Sequence, residues 1–134
     1  MSRRDYSRLS ADYSSFKFFL ITFPVAGVAH VQINRTSKLN AFHEPMWQEF
    51  EEVFDHLSHD GEVRAVVLSG AGEKAFTVGL DVQAASQGSA LTGNTSKQDV
   101  ARRAVAIRRH IDEFQSCIGS VERCEKRMFM LCPA

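Results

Sequence analysis

The sequence predicts an α/β fold, and three patterns carry that prediction. An aromatic and β-branched run, Phe16 to Phe23, is followed by the alternating stretch "VAHVQIN", Val28 to Asn34. The pair has the signature of two adjacent strands. Met46, Phe50, Val53, Phe54 and Leu57 then recur every three or four residues, the spacing of a helix with one buried face. "RAVVL", Arg64 to Leu68, is short and apolar enough to be a strand buried on both faces. The order is therefore β-β-α-β.

Each element has a local cause. Residues 1–15 are polar and charged and are expected to form a disordered lead-in. Arg3 and Arg4 ahead of an apolar run look like a twin-arginine signal, but Asp5, Asp12 and Pro24 oppose that reading. Pro24 is expected to end the first strand, and Gly27 permits the turn, with Pro24 to Gly27 longer than a tight two-residue loop. Arg35 to Phe42 is a polar loop. A helix is expected from near His43, with Pro45 in its first turn, where a missing N–H does no harm. Glu49, Glu51, Glu52 and Asp55 fit its solvated side, and Asp60-Gly61 ends it. Ser86 to Ser96 is rich in Gly, Ser and Thr and reads as a mobile loop. Ser96 is placed to cap a second, long helix, with Asp99 in its first turn. Val100, Ala104, Ile107, Ile111, Phe114, Ile118 and Val121 form an unbroken heptad stripe. Such a stripe also suits a free coiled coil, but between strands the helix is expected to pack on a sheet. Cys117 and Cys124 lie on or beside the stripe and fit buried thiols. A short apolar strand can form at Met128 to Cys132.

Composition narrows the function classes. The 134 residues suit one small domain or a piece of a larger one. Sixteen basic and sixteen acidic residues give no net charge, so nothing draws the chain toward nucleic acid or an anionic membrane. No apolar run approaches the ~20 residues of a membrane span. Three unevenly spaced cysteines suggest a reducing compartment, and five scattered histidines give no metal-ligand spacing.

The chemistry is expected in "SGAGEKAFTVGLDVQAAS", Ser69 to Ser86. Gly70 to Ala75 fits a loose G-x-G-x-x-A pattern. A dinucleotide fingerprint would need a helix opening on those glycines and an acidic residue about twenty positions on. "AFTVGLDV" follows instead, and the spacing of Asp81 and Asp99 fails. Gly79 leaves room for a ligand to approach the backbone. Asp81 can cap a short helix over Val82 to Ala85. The N–H groups just ahead of that turn are then expected to be unpaired, directed outward and suited to an oxyanion.

"NRTSKLNAF" followed about forty residues later by "AFTVGLDV" resembles the N-terminal half of the crotonase superfamily, the enoyl-CoA hydratases and isomerases. "RRHIDEFQSCIGSVERCEK" is similar to its Δ3,5-Δ2,4-dienoyl-CoA isomerase branch. The resemblance covers residues 16–126 and leaves 127–134 as an atypical tail. It implies a truncated ββα spiral that binds an acyl-CoA thioester, with the thioester oxygen held by two backbone N–H groups. Leu80 would supply the first; Val78 and Gly79 would line the acyl-CoA channel, Val82 would close the same segment with Asp81 in the same substrate-binding stretch, and Lys38 would approach the CoA phosphates. The implied reaction moves 3,5-dienoyl-CoA to 2,4-dienoyl-CoA in fatty acid β-oxidation. It needs no cofactor or metal beyond the coenzyme A of the substrate. In the family the second oxyanion donor and the catalytic carboxylates come later, so this chain alone is expected to be inactive. Two alternatives stand beside it: a non-catalytic acyl-CoA-binding or subunit-interaction protein, and an enoyl-CoA hydratase fragment. The resemblance also implies a homo-oligomer in the peroxisome or mitochondrion. The chain ends Cys-Pro-Ala, which is not a peroxisomal tripeptide, and a cytoplasmic location follows if no address exists.

Overall fold

The computed structural model describes residues 13–88 and 99–133. Four strands form one sheet in chain order: β1 (Phe19–Val25), β2 (Val28–Ile33), β3 (Ala65–Gly70) and β4 (Arg127–Leu131). β1 and β2 are antiparallel; β2–β3 and β3–β4 are parallel. The helix α1 (Glu44–His59) connects β2 to β3, while α2 (Val82–Gln87) and α3 (Val100–Arg123) lie between β3 and β4. Both parallel connections therefore run through helices, as parallel pairing requires.

The hairpin is tighter than expected. Val25 pairs with Val28, leaving Ala26 and Gly27 as a two-residue turn, and Gly27 takes φ +78°. Pro24 does not end β1. It lies within the strand, at a register irregularity between Thr22 and Val25 on the sheet edge. An edge is where a strand tolerates a missing N–H.

α1 follows its sequence pattern. Met46, Phe50, Val53, Phe54 and Leu57 are buried, together with Trp47. They meet Phe19 and Ile21 of β1, Val31 and Ile33 of β2, and Val66 and Leu68 of β3 in one core. Full burial of each such side chain contributes about 1.5–3 kcal/mol. His43 is the N-cap and Asp60 the C-cap. Two of the expected surface carboxylates have structural tasks instead. Glu49 accepts the N–H groups of Lys17 and Phe18, both at 2.7 Å. Glu51 accepts from Arg123 at 3.2 Å and from the Cys117 thiol at 3.3 Å, tying α1 to α3. Burial and Glu51 push the Cys117 thiol up to about 12, so it remains protonated.

Three further expectations change. Residues 13–15 fall in the expected lead-in, yet Tyr13 is buried in the core and donates to Asp60 Oδ2 at 2.9 Å. The proposed cap Ser96 and most of the Ser86–Ser96 loop lie outside the described residues; Asp99 itself caps α3, accepting the Arg102 N–H at 2.9 Å. Finally, α3 packs on α1 more than on the sheet. Only Cys117 and Ser120 of α3 are buried, and Val100 and Ile111 of the heptad stripe are exposed. Residues 127–131 of the tail form β4 as a parallel partner of β3, one position earlier than expected, with Phe129, Met130 and Leu131 exposed.

Candidate functional site

The loops after β2 and β3 meet at the C-terminal ends of the parallel strands, a usual location for ligand sites in such sheets. Gly70 shows why the chain leaves β3 on a glycine. A Cβ there would lie 2.7 Å from the Phe76 Cα and 2.8 Å from the Ala75 carbonyl oxygen. The chain folds back on itself at this point, and the returning backbone of Ala75 and Phe76 fills the space a side chain would need. Gly72, at φ +83°, completes the reversal.

Asn40 fixes the returning segment. It is buried, and its backbone takes φ 57°. Its side-chain oxygen accepts the Arg35 N–H at 2.9 Å, and its amide nitrogen donates to the carbonyls of Ala71 and Ala75 at 2.9 and 3.1 Å. Thr77 then donates its hydroxyl to the Asn40 carbonyl at 2.6 Å and accepts the Gly79 N–H at 3.1 Å. The Val78 N–H reaches the Leu39 carbonyl at 3.2 Å.

Phe42 and Leu80 form a single parallel bridge. Phe42 donates to the Gly79 carbonyl at 2.7 Å and accepts the Asp81 N–H at 2.8 Å. In parallel pairing, a residue that bonds both neighbours of its opposite number turns that residue's own N–H and C=O to the other side. The Leu80 N–H therefore points away from Phe42, and it has no acceptor among the described residues. The expectation of several unpaired N–H groups narrows to this one, since those of Val78, Gly79 and Asp81 are all engaged.

Asp81 is buried and committed. One carboxylate oxygen accepts the Ala84 N–H at 3.0 Å as the cap of α2, which runs to Gln87 and not to Ala85. The other meets the Arg35 guanidinium at 2.8 Å, which also donates to the Ala41 carbonyl. The Ala84 N–H and Arg35 together hold the Asp81 carboxyl below the usual carboxylate range. Its charge sits at the start of α2, so the dipole of that short helix has a partner already. Asp81 thus shapes the loop and presents no free oxygen.

The remaining candidates surround Leu80 on the surface. Val78, Leu80 and Val82 are 55%, 44% and 73% exposed. Gly79 takes φ +87°, and a Cβ on it would meet nothing within 4 Å. Lys38 ends a 3-10 turn, Thr36–Lys38, and reaches Gln83 Oε1 of α2 at 3.4 Å. Leu80 separates two cavities. One, of about 270 Å³, is lined by Ile33, Leu68, Phe76, Ile118 and Met130. The other, of about 380 Å³, lies between the start of α1, α2 and α3. Among the described residues no group of three or more His, Cys, Asp or Glu could hold a metal ion. No described helix is long and apolar enough to cross a membrane.

Residues 24–110 match the model of the enoyl-CoA hydratase/isomerase family. The chain belongs to the enoyl-CoA hydratase/isomerase family. It is similar to the mitochondrial Delta(3,5)-Delta(2,4)-dienoyl-CoA isomerase of Homo sapiens, 38% identical over 112 residues, which are 84% of this chain and 33% of that protein. The peroxisomal Delta(3,5)-Delta(2,4)-dienoyl-CoA isomerase of Arabidopsis thaliana is 36% identical over 75% of this chain and 35% of its own length. The chain thus spans about a third of the length of the curated relatives it matches. A crystal structure of an enoyl-CoA hydratase from Shewanella pealeana superimposes on 97% of this chain and 43% of its own, with a TM-score of 0.69 and 18% identity. The architecture of β1 to β4 with its helices is that of the N-terminal part of an enoyl-CoA hydratase/isomerase fold.

The Leu80 segment and the cap at Asp81 were legible from Gly79, Asp81 and the family pattern. Asn40, Thr77 and Arg35 were not singled out as site-forming residues. Their bonds join positions up to 46 residues apart, and no periodicity records such contacts. The one available signal was Asn40 inside "KLNAF", a polar residue between apolar ones in a loop with no surface reason for an amide.

Proposed function

We propose that this chain provides the acyl-CoA-binding part of a dienoyl-CoA isomerase that converts 3,5-dienoyl-CoA to 2,4-dienoyl-CoA in fatty acid β-oxidation. One observation carries the reading: the Leu80 N–H is turned away from its bridge partner Phe42 and has no acceptor among the described residues. Loss of a proton from the dienoyl chain puts negative charge on the thioester oxygen, and a fixed N–H aimed there stabilises that charge. Removing one such donor costs about 3–4 kcal/mol of barrier. Lys38 and the segment from Val78 to Val82, whose Val78, Leu80 and Val82 are exposed, would meet the coenzyme A portion. The similarity to dienoyl-CoA isomerases supports this choice of substrate and a mitochondrial or peroxisomal location.

Proton transfer along a diene takes one carboxylate as base and a second as acid. Asp81 is held by Arg35 and Ala84, and Glu44 is the other acid lining the larger cavity beside Leu80. These residues are therefore expected to bind the thioester without turning it over. The test is nuclear magnetic resonance of the ¹⁵N-labelled chain with 3,5-octadienoyl-CoA, alongside ultraviolet absorbance for the conjugated product. The Leu80 amide should shift on addition and no product should form. An unmoved Leu80 amide at saturating ligand defeats the binding reading; steady turnover defeats the expected inactivity.

A further inference from the structure

The neutral total charge conceals a basic segment. Residues 99–112 carry Arg102, Arg103, Arg108 and Arg109 against Asp99 and Asp112. The expectation that nothing draws the chain toward an anionic surface rests on the sum alone. A surface field acts over a Debye length, about 10 Å at 0.1 M salt, so the local patch decides. Helix spacing sorts its residues. Phe114, Cys117 and Val121 face α1 and the core, and half-buried Ile107 and His110 continue that row. Ala101, Arg102, Val105, Arg108 and Arg109 follow i, i+1, i+4, i+7 and i+8 on the opposite face. All five are exposed.

The three guanidinium groups on that face are available to a partner. Arg102 meets Asp99 at 3.5 Å and Arg108 meets Asp112 at 3.8 Å, with all four side chains more than 60% exposed. Open pairs of this kind contribute little and exchange readily for other anions. Arg109 has no ion pair among the described residues. A surface hollow of about 420 Å³ is lined by Ala101, Arg102, Val105, Ala106 and Arg109. Every lining residue belongs to α3, so the hollow is not a cleft between elements that would grip a peptide. The cations of the segment are all arginines, whose forked donors match phosphate oxygens two at a time. A bilayer presents phosphates continuously, so Arg102, Arg108 and Arg109 can engage it together without a matching groove. Ala101 and Val105 offer only small apolar groups between them, so the contact is electrostatic and shallow.

We propose that this outward face of α3 docks the chain reversibly on the surface of an anionic phospholipid bilayer. The proposal is independent of the Leu80 site, since none of its residues belongs to the loops that carry Leu80.

The test is co-sedimentation of the chain with phosphatidylcholine vesicles, and with the same vesicles carrying about 30% phosphatidylglycerol to supply the negative surface potential. The chain should pellet with the anionic vesicles and stay in solution with the neutral ones. Raising the salt from about 0.1 M to about 1 M should release it, because the screening length falls to about 3 Å. Each arginine near such a surface strengthens binding about fivefold, so Arg102→Gln with Arg109→Gln should weaken it about 25-fold. Lys17→Gln with Arg127→Gln removes the same charge from exposed positions elsewhere and should leave binding within about twofold of wild type. Circular dichroism checks that both double variants keep their helix content. Equal pelleting with both kinds of vesicle, or an equal loss in the two double variants, overturns the assignment to this face. Absence of pelleting also overturns it, and binding of soluble polyglutamate in that case would turn the face over to an acidic protein partner.

Discussion

Asp81 illustrates how one residue can look like a ligand contact and serve as a fastener. The Ala84 N–H and Arg35 favour its charged form and depress its pKa. The sign follows from linkage. A carboxyl with a lowered folded-state pKa contributes stability that is present above its unfolded value and is lost as pH falls through the folded one. His43 behaves in the same sense nearer neutrality, because its depressed pKa makes protonation costly in the folded state. We expect Asp81→Asn to lower the melting temperature at pH 7, with the gap to wild type closing below the ordinary carboxylate value of 3.8. Melting curves from pH 2 to pH 7 check this, and a pH-independent gap would mean the Arg35 pair contributes nothing. The cap itself was legible, since Asp ahead of a short helix is a local signal. The pairing with Arg35 was not, because it joins two loops 46 residues apart.

At the scale of elements, periodicity predicted where helices form better than what they touch. The α1 stripe marks five of its six buried residues. The α3 stripe is as regular, yet most of it lacks cover. A heptad pattern records which face is apolar and says nothing about the partner's length. α3 meets α1 near Phe114, Cys117 and Val121, and its first turns stand away from the core. Local opening follows such differences in buried contact. Amides of Val105 to Arg109 should exchange with deuterium at least about tenfold faster than those of Cys117 to Val121. Mass spectrometry or nuclear magnetic resonance reads this directly, and equal protection along the helix contradicts the described packing.

For the whole molecule, the decisive feature is the edge at β4. Phe129, Met130 and Leu131 are each more than half exposed, on a strand whose outer side pairs with no strand among the described residues. Apolar edge strands promote association. Sedimentation of the 134-residue chain should show concentration-dependent self-association, and Phe129→Lys with Leu131→Lys should abolish it without unfolding the core. A monomer at all concentrations counts against an adhesive edge. The second whole-molecule feature is the hub at Asn40, which ties the loop after β2 to the loop after β3 and holds Thr77 beside the Leu80 segment. Local melting of the pocket alone is then disfavoured, since opening it means parting the tips of two central strands. A thioester seated at Leu80 would consequently be felt as heat resistance of the entire sheet, and thermal denaturation far from the cleft would report occupancy of the cleft.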